Sequence, residues 1–307
     1  MISLATRAPF HLEATVRVLQ RRPVNAVDQW ECGAYERVLT VSRGAVLIEV
    51  KSHGTLDKPD LRLSIRAGDT SARTRAEAEA TVRRILGLDI DPAPLQRSVD
   101  AQSLIRTTCS ALRGMRPPRF ASLFETFASI VPFQQLSLDA GIATVARLVI
   151  RFGARVEHDG RRFRAFPTAS RLAKARVASL RSCGLSRQKA MTLIGLARLI
   201  EAGELIETDL AGMSTSAALA RLTALPGIGP WSAGLVLLRG LGRLDVFPPG
   251  DVGAQRGLRA LTGLKPRALE PFIERFGEHR GYLYFCALGA SLLSKGYIHS
   301  APPNARI

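Results

Sequence analysis

The sequence predicts an α+β protein in which a small N-terminal antiparallel sheet is followed by a mainly α-helical region. Between residues 9 and 67, apolar and polar residues alternate as they do in half-buried strands. From Leu95 onward the apolar residues recur with helical spacing, and prolines or glycines separate the segments. We therefore expect an α+β sheet domain over residues 1–112 and an all-helical domain over residues 113–307.

The predicted strands are apolar runs of the N-terminal region that short polar turns join. Ser42, Arg43 and Gly44 separate the two central runs closely enough for a hairpin. A helix is expected next, ending before Pro92, and the basic stretch 152–166 is predicted as a further hairpin between helices. The four runs are Phe10–Leu19, Tyr35–Val41, Ala45–Lys51 and Leu61–Arg66, and the helix is Thr74–Leu88.

The composition favours a folded protein that associates with polyanions. With 307 residues, of which 46% are hydrophobic, the chain can bury a substantial core, which excludes a disordered tail protein. Its net charge is +17 and its isoelectric point is about 11.0. This charge favours polyanionic partners, because neutralisation of phosphates releases counterions, but it does not by itself decide the function.

Cysteines and histidines argue against several other classes. The four cysteines form no C-x-x-C pair and the five histidines show no metal-ligand spacing, which argues against a zinc site, an iron-sulfur cluster or a disulfide framework.

No segment approaches the roughly 18 apolar residues of a membrane helix. No basic region followed by a long apolar stretch stands at the start. We expect a cytoplasmic, monomeric protein that neither binds membranes nor requires a cofactor.

Residues 222–231 carry the most informative motif, Leu-Thr-Ala-Leu-Pro-Gly-Ile-Gly-Pro-Trp. Gly227 and Gly229 allow positive φ and a close approach to a bulky anion, because no Cβ intervenes. Pro230 stands where a helix would begin, since its missing N–H would be unpaired there anyway. With helices at about 216–222 and 231–240, the segment predicts a helix-hairpin-helix that binds a DNA phosphate through N–H groups. Taken alone, the pattern also fits an ordinary helix-helix turn.

Asp251 is the candidate catalytic residue. It follows Gly227 after 24 residues, which is enough for one helix and a return loop, so its carboxylate is expected beside the hairpin. Aspartate after Pro249-Gly250 is also a favoured N-cap for the next helix, Val252–Leu261. The capping role and the catalytic role are compatible.

With these residues the chain resembles the base-excision DNA glycosylases that carry a helix-hairpin-helix, a Gly/Pro-rich loop and an aspartate. Within that group it is most similar to the AlkA-type 3-methyladenine DNA glycosylases II. The similarity is strongest from about residue 114 to residue 290. Beside the hairpin it rests on the segments Arg116–Phe120, Leu123–Glu125, Phe166–Thr168, Leu172–Ala173, Gly184–Ala190 and Asp251–Leu258.

The resemblance implies a chemistry for two positions. A damaged base must be flipped out of the duplex into a pocket, where Asp251, ionised at neutral pH, would stabilise an oxocarbenium-like sugar and orient water. Relatives that also cut the strand have a lysine after the hairpin proline, but this chain has Trp231 there and no lysine between Lys189 and Lys265. We expect an enzyme without lyase activity whose Trp231 faces a cationic base.

Further pocket and DNA contacts are expected from the same resemblance. Phe247, Tyr282 and Leu288 are further candidates for lining the base pocket, and core packing is the alternative for Trp231, Phe247 and Tyr282. Gln135 is the candidate wedge that fills the gap left by the flipped base, and its alternative is an ordinary exposed glutamine on a helix. Two segments depart from the family pattern: Pro132-Phe133 in the turn before Gln135, and Leu288 where an aromatic residue might line the pocket.

The backbone of the hairpin is expected to provide the remaining contacts. The DNA-binding candidates are Gly227, Ile228, Gly229 and Ser232. The resemblance also implies a structural sodium or potassium ion on the carbonyls of Thr223, Leu225 and Ile228. The function so predicted is excision of alkylated purines, of the 3-methyladenine and 7-methylguanine type, from damaged double-stranded DNA. The alternatives are a non-catalytic lesion-binding protein and a glycosylase for deaminated bases such as hypoxanthine.

Overall fold

The computed structural model describes residues 1–22 and 24–299, and it has the predicted α+β architecture. One antiparallel sheet of five strands has the strand order β1-β5-β4-β3-β2. A separate two-stranded hairpin, β6-β7, lies between helices. The strands are β1 Ile2–Leu4, β2 Gln29–Glu31, β3 Ala34–Val41, β4 Gly44–Ser52, β5 Leu61–Ala67, β6 Arg155–His158 and β7 Arg161–Arg164.

The central hairpin of the sheet is the one that the sequence predicts. β3 and β4 pair without interruption from Ala34 opposite Lys51 to Val41 opposite Gly44. The second predicted hairpin is also confirmed, and its Phe163 packs with Val38 and Leu47 of the sheet. β1 and β2 are absent from the sequence prediction because each has only three residues, too few to show alternation.

The predicted strand Phe10–Leu19 is wrong, because Leu12–Gln20 is a helix, α1. The alternation of apolar and polar residues that predicted a strand here has another cause. Leu12, Val16 and Leu19 pack into the core beneath the sheet, whereas Ala14 and Val18 face the core of the helical region. A helix that is buried on two sides loses the polar face by which helical periodicity is recognised.

The remaining helices surround one continuous apolar core. Residues of α3 and α4, such as Leu95 and Ile105, belong to this core, and the domain boundary at residues 112/113 stays a prediction. No helix of the described ranges is long and apolar enough to cross a membrane. The helices are α2 Ala72–Leu86, α3 Pro92–Asp100, α4 Ser103–Ala111, α5 Leu123–Ile130, α6 Leu138–Phe152, α7 Ala169–Ala173, α8 Val177–Arg181, α9 Arg187–Glu201, α10 Glu207–Gly212, α11 Thr215–Thr223, α12 Pro230–Leu235, α13 Val252–Thr262, α14 Pro266–Glu274 and α15 Tyr282–Ser294; Val131–Phe133 and Gly277–His279 are 3-10 turns, and α12 continues as a π-helix over Val236–Leu241.

A buried ion pair joins the sheet to the helices. Arg37 of β3 donates to the Asp28 carboxylate at 2.7 Å and to the Glu125 carboxylate of α5, and all three side chains are almost inaccessible. The Tyr35 hydroxyl donates to Asp28 as well, at 2.8 Å. Burial lowers the pKa of Arg37, but Glu125 and Asp28 raise it by more, so that its net pKa lies above the ordinary value. One guanidinium therefore faces two carboxyl groups, and burial raises the pKa of Glu125 above its ordinary value.

Replacing Arg37 should destabilise the protein strongly. Arg37→Met leaves two buried carboxylates without their cation, and we expect the free energy of unfolding to fall by about 3–5 kcal/mol in denaturant titration. The matched control is Arg73→Met, because Arg73 pairs with Glu77 on the surface, where solvent screens the interaction. The control should unfold almost as the wild type does. A loss below about 1 kcal/mol for Arg37→Met would contradict this account of the junction.

Candidate active site

The helix-hairpin-helix is formed by α11, the turn 224–229 and α12. Gly227 has a φ of 81°, and a Cβ on it would stand 2.2 Å from the Thr192 hydroxyl of α9, so that only glycine fits. Leu225 and Ile228 are buried in the core on either side of this glycine. The turn is thus held against α9 by its apolar residues while its glycines remain at the surface.

Three backbone N–H groups of the hairpin are free to bind an anion. Those of Gly227, Gly229 and Ser232 donate to no acceptor in the described ranges of the chain. Ile228 is a correction to the predicted contacts, because its N–H donates to the Leu225 carbonyl at 3.1 Å and its side chain is buried. The free groups sit at the start of α12, whose dipole adds to the attraction for a phosphate.

A glutamine braces the hairpin from outside. Gln134 donates from Nε2 to the Gly227 carbonyl at 2.9 Å and to the Ser232 hydroxyl at 3.0 Å. Its own carbonyl accepts from the Lys189 amine at 2.5 Å. The next residue, Gln135, is exposed and has a φ of 54°, which turns it away from the bracing contact. The bracing role of Gln134 was not predicted, since nothing in the sequence distinguishes it from its neighbour Gln135.

Two hydrogen bonds fix the Asp251 carboxylate. Oδ1 accepts from the Ala254 N–H at 2.8 Å, as the predicted N-cap of α13, and Oδ2 accepts from Trp231 Nε1 at 2.9 Å. The side chain is buried, yet it borders a cleft. The loop that carries it can approach α12 because Gly234 lacks a side chain, and a Cβ there would lie 2.9 Å from Pro249. The expected return of this carboxylate to the hairpin is therefore seen in the structure.

The cleft beside Asp251 has a volume of about 1070 Å³. Of the residues predicted for the site, Asp251, Trp231, Leu288 and Gln135 line it together. Its wall also contains residues that sequence reasoning missed, because they come from segments far apart in the chain: Arg21, Phe120, Ser129, Phe133, Leu235, Arg239, Tyr284 and Lys295.

Two of the predicted pocket residues lie elsewhere. Phe247 lines a neighbouring cavity, together with Asp245, on the other side of the Pro248-Pro249 loop. Tyr282 is buried in the core, where its hydroxyl lies 3.4 Å from the Met115 carbonyl. Tyr284 takes the place in the cleft that was expected for Tyr282. Tyr282 and Tyr284 are two residues apart on α15, so their side chains point about 200° apart around the helix axis. Only one of them can face the cleft, and the packing of α15 against its neighbours determines which.

The three carbonyls proposed for a monovalent cation belong to the hairpin, and their role stays a prediction. The Leu225 oxygen accepts from the Ile228 N–H and keeps one lone pair for a ligand. Carbonyl oxygens suit such an ion, so the residues present fit it. Its contribution would be to hold the turn in shape when DNA binds.

Known DNA repair proteins resemble this chain in both of its regions. Residues 1–122 match the AlkA N-terminal domain family, and residues 128–278 match the HhH-GPD superfamily of base excision DNA repair proteins. A probable bifunctional transcriptional activator/DNA repair enzyme AlkA of Mycobacterium tuberculosis is 30% identical over 92% of this chain. The match covers 55% of that relative, so this chain spans about half of the relative's length. DNA-3-methyladenine glycosylase 2 of Escherichia coli is 27% identical, over 92% of the chain and 94% of the relative.

A solved structure extends the comparison to the fold. The 3-methyladenine DNA-glycosylase of Archaeoglobus fulgidus superposes with a TM-score of 0.80 at 27% identity, over 95% of this chain and 99% of that one. Both the sheet region and the helical region are thus shared. With an AlkA N-terminal domain ahead of a helix-hairpin-helix core, the chain belongs to the HhH-GPD superfamily of base excision DNA repair proteins.

Proposed function

We propose that the protein is a DNA glycosylase that removes alkylated purines from duplex DNA. The observation that carries the proposal is the Asp251 carboxylate, which two hydrogen bonds hold in a cleft next to the free N–H groups of the hairpin. The names of the relatives from Escherichia coli and Archaeoglobus fulgidus support the same substrate class. The net charge of +17 supports binding to DNA, on which the protein acts as a monomer.

The geometry accounts for hydrolysis of the N-glycosidic bond. The hairpin holds a phosphate near the lesion, and the flipped nucleotide enters the cleft, where its sugar meets Asp251. As the bond breaks, its electron pair leaves with the base, and the carboxylate stabilises the positive charge of the sugar while water adds at C1′. A purine alkylated at N3 or N7 is already cationic and leaves as a neutral molecule, so no general acid is required.

The fixed carboxylate distinguishes this proposal from a non-catalytic lesion-binding protein. Binding of a phosphate and of a flipped base needs neither an anion beside the sugar nor its orientation by Trp231. An unused carboxylate would instead repel the phosphates of DNA and weaken binding. A glycosylase for deaminated bases uses the same carboxylate, and it differs only in the contacts made to the base.

We further propose that the enzyme hydrolyses the N-glycosidic bond without cutting the DNA strand. Trp231 occupies the position after the hairpin proline, and no amine is available from it. Burial lowers the pKa of Lys189, but its amine donates to the carbonyls of Pro132 and Gln134. Lys295 lies on the exposed rim of the cleft, where sequence reasoning did not place a lysine.

Asp251→Asn should abolish most of the activity. Asparagine can still cap α13 through its oxygen, but it cannot also accept from Trp231, and the negative charge is gone. We expect the rate of base release to fall by about 10² to 10³, with duplex affinity and folding nearly unchanged. Asp245→Asn is the control, because Asp245 binds the Thr215 hydroxyl outside the cleft. Wild-type rates for both variants would refute the mechanism.

Trp231→Phe should distinguish the contribution of the indole N–H from that of the aromatic ring. The ring remains against the cleft, but the hydrogen bond to Oδ2 is lost, and bonds to charged groups contribute about 1.5–3 kcal/mol. The single-turnover rate should fall about ten-fold or more. Trp30→Phe, at the only other tryptophan, changes the sheet region and should retain full activity. Equal rates in both variants would show that Trp231 does not orient the carboxylate.

Borohydride should trap no covalent complex with damaged DNA, and product strands should break only after treatment with alkali. Both results follow if the rim amine of Lys295 does not reach the sugar, since Trp231 has no amine and the Lys189 amine donates to backbone carbonyls. Denaturing gels of the protein and of the DNA measure them in one reaction. If a trapped complex forms, Lys295→Gln tests whether the rim lysine is its source, and the proposed absence of strand cleavage is wrong.

A further inference from the structure

One side chain connects the hairpin to the segment between α5 and α6. Residues 131–136 form this segment, the Gln134 loop. Gln134 donates from Nε2 to the Gly227 carbonyl at 2.9 Å and to the Ser232 hydroxyl at 3.0 Å. Both partners belong to residues whose N–H groups have no acceptor in the described ranges and can bind a phosphate. The contact therefore joins the Gln134 loop to the phosphate-binding part of the hairpin.

The helix α9 holds the Gln134 loop and the hairpin from the same side. The Lys189 amine donates to the Pro132 carbonyl at 3.2 Å and to the Gln134 carbonyl at 2.5 Å. Thr192 follows about one turn later on α9 and lies under Gly227, where a Cβ would stand 2.2 Å from its hydroxyl. The loop and the hairpin are thus fixed relative to each other through α9 as well as through Gln134.

Phe133 anchors the other side of the Gln134 loop. Its ring packs against Gly141 of α6, where a Cβ would stand 2.4 Å from the ring, and the guanidinium carbon of Arg21 lies 5.7 Å from the ring centroid. The chain departs from the family pattern at Pro132-Phe133, and this packing gives the departure a structural role. Phe133 joins the loop to the inner wall of the cleft. That wall consists of Arg21, Phe120, Ser129, Arg239 and Tyr284.

Two residues of the Gln134 loop project from these attachments to the edge of the cleft. Gln135 and Leu136 are exposed, and both line the cleft. Gln135 has a φ of 54°, which a residue other than glycine adopts rarely and keeps only where the surrounding structure enforces it. Hydrogen bonds on both sides enforce it here: those of Gln134 before it, and that of the Leu136 N–H, which donates to the Phe133 carbonyl at 3.2 Å.

We propose that Gln134 is a positioning residue that couples binding of a phosphate to extrusion of the base. The inference rests on the proposed function. When the N–H groups of the hairpin bind a phosphate, Gln134 fixes how deeply Gln135 and Leu136 reach into the adjacent base stack.

The attachment matters because extrusion of a base is unfavourable. Unstacking and unpairing a nucleotide cost free energy, and a loop that could move back would avoid the duplex without displacing the base. A loop that is held to the hairpin cannot retreat while the phosphate stays bound. Part of the free energy of phosphate binding is then used to extrude the nucleotide.

The test compares a lesion that must be extruded with one that is already unpaired. Gln134→Met removes both hydrogen bonds but keeps a side chain of similar length. Single-turnover release of 7-methylguanine from a paired duplex should fall about ten-fold, since two hydrogen bonds are lost. Release of the same base from a one-nucleotide bulge, where no partner base holds it, should change by no more than about two-fold.

Gln96→Met is the matched control, because Gln96 also donates from Nε2, but to the Asp100 carboxylate at the surface of α3. It should retain both rates. Lys189→Met removes the second attachment of the loop and should lower release from the paired duplex more than release from the bulge.

A second replacement keeps the test decisive if Gln134→Met melts at a lower temperature than the wild type. In Gln134→Glu the carboxylate can still accept from the Ser232 hydroxyl but cannot donate to the Gly227 carbonyl, so the same difference between the two substrates is expected. An equal loss with both substrates in a stably folded variant would assign Gln134 to the shape of the active site. Unchanged release of both would show that it couples nothing. Either result overturns the inference.

If the wild type releases no base at all, the proposed function fails separately, and the inference is decided without turnover. A duplex with 2-aminopurine opposite thymine gains fluorescence when that base leaves the stack. Saturating wild-type protein should raise the fluorescence, and Gln134→Met at equal occupancy should raise it at least about two-fold less. No rise with the wild type, or an equal rise with the variant, would overturn the inference.

Discussion

The relation between the sheet and the helices depends on the burial of Arg37 between Asp28 and Glu125. Removing three charged side chains from water is favourable only as a compensated group, and the group forms only when β3 and α5 lie side by side. Because α5 carries Ser129 one turn after Glu125, the same contact sets the position of the inner wall of the cleft. The shape of the cleft is thus tied to the N-terminal sheet, although none of the five described strands of that sheet lines the cleft.

Three buried arginines connect segments that are far apart in the chain. Arg37, Arg116 and Arg239 are the largest fully buried side chains of the described residues. Carboxylates accept from the first, and backbone carbonyls of Arg7, Pro9 and Gly114 accept from the second. The guanidinium of Arg239 lies 4.6 Å from the centre of the Phe120 ring, and burial lowers its pKa while a side-chain hydrogen bond with Tyr284 opposes that shift. Each guanidinium therefore holds together segments that the sequence alone does not show to be neighbours.

The parts of the site that the sequence predicts are those that backbone chemistry dictates locally. Gly227, Pro230 and Asp251 are constrained by positive φ, a helix start and an N-cap, and each constraint acts within a few residues. The inner wall cannot be predicted in this way, because Arg21, Phe120, Arg239 and Tyr284 meet only through tertiary packing. Tertiary packing also explains two wrong predictions. The helix α1 is buried on two sides, so its apolar residues alternate as in a strand. The packing of α15 likewise determines that Tyr284 and not Tyr282 lines the cleft.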